Sequence, residues 1–176
     1  VMRVCQESGI PPERLAIDAT GAGDPFCDIL AELWSPRILR IKFGERASSL
    51  PVSITNPIKG SDKYTNRVTE LWFSGVEYMR SGQLKGIVPD LAKEMTGRKY
   101  ATTGGGKVTV EPKRDYKLRL GRSPDLADAF FLGLDLARQK LGIHAGSLVG
   151  GKLRSSWVDQ ARKLDRVVPD SAFLGS

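Results

Sequence analysis

Apolar positions in this chain alternate between tight runs, which suit buried strands, and a three-to-four spacing, which suits one face of a helix. Residues 2–8 fit the end of a helix stopped at Gly9, with Pro11 and Pro12 beyond it. Residues 14–17 form a short apolar strand. Asp24 is placed to cap a helix that begins at Pro25 and runs through Phe26, Ile29, Leu30 and Leu33 to Trp34, where Pro36 stops it. Residues 38–43 read as a second strand. Two strands joined by a helical crossover imply a parallel pair. Asp18 then stands at the carboxyl end of its strand, where open α/β sheets usually meet their ligands.

Residues 45–61 turn to Ser, Pro, Gly and Asn and read as a loop. Tyr64, Val68, Leu71, Trp72, Val76 and Met79 then recur at helical spacing, closed by Gly82. A shorter helix over 89–95 ends before Gly97, and segments 99–102 and 107–110 flank a GGG turn as a hairpin. Ser123 is placed to cap a long helix with Pro124 at its first position, reaching about residue 141. That helix is apolar nearly all round and is expected to be buried. Beyond Gly142 the chain becomes rich in Gly and Ser, and Trp157, Ala161, Leu164 and Val168 predict one small helix. The expected organisation is one α/β domain over 1–142 and a tail over 143–176.

Composition narrows the chemistry. No apolar run reaches the roughly 18 residues of a membrane span. The start has no signal-peptide pattern, so the expected location is the cytoplasm. Cys5 and Cys27 stand apart from any CxxC, and His144 is the sole histidine. Zinc and a Ser-His-Asp triad are therefore poor readings, and a bound metal would be a hard ion held by oxygen. The formal charge of +7 is concentrated: residues 98–122 carry a net +6. Such a cluster attracts polyanions through counterion release, although a solvated basic hairpin is the plainer account.

Three motifs compete. TTGGGKVT fails the P-loop pattern at Ala101 and Val108. DATGAGDPF is similar to the signature of ribokinase-like sugar kinases, in which Asp24 would be the catalytic base. That signature falls late in sugar kinases, and here it starts at residue 18. The third motif is GRSPDLADAFFLGL, which puts Asp125 and Asp128 on one side of an apolar helix. A buried carboxylate needs a cation or a hydrogen-bond network. Asp125, in the first turn, is also explained by the helix dipole; Asp128, deeper among Ala and Phe, is not. Asp18 at a strand end together with acids on a packed helix is how a two-metal phosphoryl-transfer site is built.

The ordered series IDATGAGD, IKFGERAS, YTNRVTELW and EPKRDYKLRLGRSPDLADAF resembles the nuclease domain of the large terminase subunit of tailed bacteriophages. The resemblance covers residues 15–141 and implies an RNase H-like mixed sheet flanked by helices. It implies a DNA endonuclease that acts during genome packaging by a two-metal mechanism with Mg²⁺ or Mn²⁺. By this resemblance Asp18, Asp125 and Asp128 hold the ions, and Lys113, Arg114, Lys117 and Arg119 face double-stranded DNA. Asn66, Arg67 and Glu70 are expected to support the fold as a buried polar network. The parent protein would work with a portal and a small terminase subunit in the host cytoplasm.

The family's first strands, which carry another metal-binding Asp, are expected to lie outside this sequence. A sheet edge would then be left open to self-association. A non-catalytic module that binds DNA or docks on the packaging machinery remains the alternative, and predicts salt-sensitive DNA binding without cleavage.

Overall fold

A computed structural model describes residues 1–146. In chain order the elements are α1 (Met2–Glu7), a 3-10 turn (Pro12–Arg14), β1 (Ala16–Asp18), α2 (Gly23–Leu33), β2 (Leu39–Ile41), β3 (Pro51–Ser53) and β4 (Asn56–Lys59). There follow α3 (Gly60–Lys63), α4 (Arg67–Arg80), α5 (Pro89–Gly97), β5 (Tyr100–Thr102), β6 (Val108–Val110), α6 (Lys113–Leu120) and α7 (Asp125–Lys140). The predicted parallel pair forms, with Ala16, Ile17 and Asp18 opposite Leu39, Arg40 and Ile41. The predicted hairpin forms as β5–β6.

The core lies between α4 and α7. Leu71 and Trp72 of α4 pack on Ala127, Phe131 and Leu132 of α7, with Ile41 of β2 and Val110 of β6 closing the sides. The Trp72 and Phe131 ring centroids are 4.8 Å apart. The helices approach this closely because position 75 is glycine: a Cβ there would come within 2.3 Å of Phe131 Cε1. Asn66 caps α4, its Oδ1 accepting from the Thr69 backbone N–H at 3.1 Å.

The expected polar network is present, but it spans two helices. Glu70 Oε2 accepts from Arg67 Nη1 at 2.7 Å, and Glu70 Oε1 accepts from Arg138 Nη2 at 2.6 Å. Asp135 binds the same two guanidiniums, and Ser48 donates to Glu70 through its backbone N–H and its hydroxyl. Arg67, Glu70, Asp135 and Arg138 are all buried. Asn66 serves as the cap instead of joining this network.

Several elements differ from the sequence reading. Residues 45–61 contain the β3–β4 hairpin and the single turn α3. Tyr64 is not helical; it bridges to Val108, and α4 begins only at Arg67. The strands of this mixed α/β fold pair as three two-stranded sheets among the described residues. One reason is visible at β6, where Thr65 N–H takes the Val108 carbonyl and Thr69 Oγ1 takes the Val110 N–H. The approach of α4 thus uses up the edge that a further strand would need.

Residues 113–120 form a helix, α6, where the sequence suggested only a basic hairpin. On α7, Leu126 is 53% exposed, so this helix is not buried all round. Residues 143–146 stay attached to the domain. Tyr78 Oη donates to the Ile143 carbonyl, Ile54 N–H to the Ala145 carbonyl at 3.0 Å, and Ala145 is buried. The small helix expected around Trp157–Val168 lies outside the described residues. No described helix is long and apolar enough to cross a membrane.

Candidate active site

The site is built where α6 and α7 meet. Pro112 and Pro124 precede the two helices and fix where each begins. The spacing of Asp125 and Asp128 puts both carboxylates on one side of the first turns of α7. Lys113, the first residue of α6, donates from Nζ to Asp125 Oδ1 and to Asp128 Oδ2, at 2.9 Å each. The side chains are 74% exposed at Asp125, 7% at Asp128 and 45% at Lys113. The cluster therefore sits at the surface with one buried acid at its base.

Ser123 does not cap the α7 backbone. Pro124 holds the cap position, and the Ala127 N–H is satisfied from another helix, by Glu94 Oε2 of α5 at 3.0 Å. The bond from Lys113 Nζ holds the Asp125 carboxyl below its usual range, opposed by slight burial and aided by Ser123. For Lys113, burial works against the charged form, but the hydrogen bonds to Asp125 and Asp128 prevail and raise its pKa.

On its buried side Asp128 meets residues the sequence reading did not single out for it. Arg98 Nη1 lies 3.6 Å from Asp128 Oδ1, and Trp72 Nε1 lies 3.4 Å from the same oxygen. The cluster is neutral, with two carboxylates against Arg98 and Lys113. The charge buried with Asp128, which on sequence grounds needed a cation or a hydrogen-bond network, is balanced by the protein's own cations.

Asp18 ends β1 as expected, and α7 packs against that strand. Its Oδ1 accepts the Thr20 N–H at 2.9 Å, and Thr20 Oγ1 accepts the Phe43 N–H at 3.1 Å. The glycines turn the corner: Gly21 has φ +57°, and a Cβ on Gly23 would lie 2.0 Å from the Asp18 carbonyl oxygen. Asp24 does not cap α2, which starts at Gly23; it pairs with Lys42 at 2.6 Å. Among the described residues no three His, Cys, Asp or Glu side chains are grouped so as to hold an ion.

The basic residues divide. Arg114 and Lys117 are exposed on α6. Arg119 is turned back, donating to Glu111 at 2.6 Å and to the Gly97 carbonyl at 2.7 Å, and Lys113 is engaged by the acid pair. Trp72, Glu94, Arg98, Asp135 and Arg138 took their parts here without being singled out for them. For Asp135 and Arg138 a signal existed: they lie seven and ten residues after Asp128 on the same apolar helix. Arg98 and Glu94 had no local signal, because what they touch is distant in sequence.

These features define an α/β domain that presents an acid pair beside a basic helix. Solved structures have the same fold. The nuclease domain of the large terminase subunit gp2 of bacterial virus Sf6 matches with a TM-score of 0.58 at 18% identity, covering 75% of this chain and 68% of that one. A lysine-to-alanine mutant of that domain, solved with manganese, matches with a TM-score of 0.58 at 18% identity, covering 75% of this chain and 69% of the other. The same mutant with manganese and beta-thujaplicinol gives 0.57 at 17% identity. The chain therefore has the RNase H-like fold of a terminase nuclease domain. No protein-family profile and no curated protein matches it.

Proposed function

We propose that this domain is a metal-dependent DNA endonuclease of a phage packaging terminase. The observation that carries the reading is convergence: Asp125 Oδ1 and Asp128 Oδ2 meet at one point, each 2.9 Å from a cation, on a terminase-nuclease fold. Two hard oxygen donors aimed at a position that already holds positive charge fit Mg²⁺ or Mn²⁺. That neighbouring structures were solved with manganese supports the same choice. When bound, such ions supply an activated water and stabilise the leaving oxygen of a phosphodiester.

Asp125 and Asp128 would hold the first ion, and Asp18, which the described structure does not group with that pair, is the third proposed ligand. A pair alone should bind weakly, because ligand number and charge set the affinity for hard cations. Lys113 binds both carboxylates and is half exposed, so with an ion between the acids it would be free to face the DNA backbone. Arg114 and Lys117 extend that positive surface along α6, and Arg119 fixes α6 to the β6 end through Glu111. Double-stranded DNA is the proposed substrate, with portal and small terminase subunit as partners of the parent protein.

The neutral cluster favours a second reading, a non-catalytic DNA-binding module in which Lys113 and Arg98 permanently satisfy the acids. Plasmid nicking with Mn²⁺ separates the two. The enzyme reading expects cleavage by the wild type that falls at least about a hundredfold in Asp128→Asn and Asp18→Asn, because acids acting on one ion fail together. Cleavage unchanged in Asp18→Asn removes that residue from the site. Salt-sensitive binding with no cutting under either metal favours the module.

A further inference from the structure

Asp128 divides its two oxygens between different surroundings. Oδ2 faces Lys113 and the open side, while Oδ1 faces Arg98 and Trp72 on the buried side. Arg98 is itself fixed from several directions. Its side chain is 3% exposed, its guanidinium lies 4.8 Å over the Trp72 ring, and its Nε donates to the Glu111 carbonyl at 2.8 Å. Its Nη1 is buried with no hydrogen-bond partner, and Asp128 Oδ1 at 3.6 Å is its ion-pair contact. A guanidinium keeps its charge even here.

We propose that Arg98, seated on Trp72, is a positioning residue: it retains Asp128 Oδ1 so that Oδ2 alone is presented, together with Asp125 Oδ1, to a divalent cation. This rests on the nuclease reading above. Asp128 then acts as a one-oxygen ligand, and the direction of that oxygen is set by a side chain that never touches the ion. Groups that orient a metal ligand from behind typically change metal affinity or activity ten- to hundredfold when removed.

Arg98 has an opposing effect, and it gives the test its sign. As a fixed cation near the site it repels Mn²⁺. If charge alone mattered, Arg98→Gln would tighten Mn²⁺ binding. If positioning dominates, Arg98→Gln weakens it, although a repelling charge has been removed.

The experiment is a Mn²⁺ titration of the full chain, with free ion followed by electron paramagnetic resonance, well below the melting temperature. Wild type, Arg98→Gln, Arg98→Lys, Trp72→Phe and Asp125→Asn are compared, each checked for folding by circular dichroism. Arg98→Gln should bind at least about tenfold more weakly. Arg98→Lys, which keeps the charge but not the planar stack with its Nε bond, should recover only part of the loss. Trp72→Phe, which keeps a ring under the guanidinium, should lose less than Arg98→Gln.

Binding equal to wild type, or tighter, in Arg98→Gln overturns the positioning role. A purely structural role would lower the melting temperature and leave the affinity of the folded variants unmoved, which also overturns it. Should Arg98→Gln fail to fold, Arg98→Lys and Trp72→Phe carry the same comparison. A wild type with no Mn²⁺ site lost in Asp125→Asn defeats the nuclease reading and this proposal with it, and does so before any Arg98 variant is compared.

Discussion

Replacing Glu70 by glutamine tests what holds α4 to α7. Glu70 is 1% exposed and lies between two guanidiniums, Arg67 at 2.7 Å and Arg138 at 2.6 Å, with Asp135 as the second acid. The four charges cancel. Glutamine leaves the cluster with an uncompensated positive charge and turns an amide N–H₂ toward donors that need an acceptor. Removing one partner of a buried ion pair costs about 3–5 kcal/mol. At roughly 2–4 °C for each kcal/mol in a chain of this size, the melting temperature should fall by about 6–20 °C.

Burial favours the protonated form of Glu70, but Arg138, Arg67 and the hydrogen bonds from Ser48 outweigh it and hold the carboxyl below its ordinary 4.5. A group depressed in this way stabilises the fold above its unfolded value and loses that contribution as pH falls through the folded one. The stability gap between wild type and Glu70→Gln should therefore be full at neutral pH and shrink below about 4.5. Urea titrations from neutral to acid pH measure it. A gap under about 0.5 kcal/mol at neutral pH, the size of an ordinary surface change, would refute the argument.

Gly75→Ala should cost about 1–3 kcal/mol of overpacking, read as a lower urea midpoint at unchanged slope, since the added Cβ meets the buried Phe131 ring at 2.3 Å. Arg114→Ala and Lys117→Ala should each weaken DNA binding without regard to sequence and reduce its log-salt slope by about one. Arg119→Ala should instead act on stability, because its guanidinium is engaged by Glu111 and Gly97; a salt slope that falls as much as in Arg114→Ala would contradict that assignment.

Local signals carried much of the fold. The β1–α2–β2 crossover was legible because glycine turns, Pro36 and apolar runs act within a few residues. The same holds for the β5–β6 hairpin and the existence of α4, α5 and α7. What failed locally failed for tertiary reasons. Helix α6 is a polar sequence with little amphipathic pattern, and its Tyr116 is fully buried in the fold. The β3–β4 hairpin lies in a segment whose Pro and Asn content reads as loop, yet Val52 packs with Ala47 and Tyr64 in a second small core.

For the site, spacing alone put Asp125 and Asp128 on one side of α7 and Asp18 at the end of a strand, because helix period and strand end are properties of neighbouring residues. Which cation answers a buried acid is not such a property. Lys113 lies 12 and 15 residues before the acids it binds, Arg98 lies 30 before Asp128, and Glu94 caps α7 from 33 residues away. Only the packing of α5, α6 and α7 brings these groups within hydrogen-bond or ion-pair reach. The sequence by itself therefore determined where carboxylates face one way; the tertiary structure decided that the protein's own lysine and arginine neutralise them first.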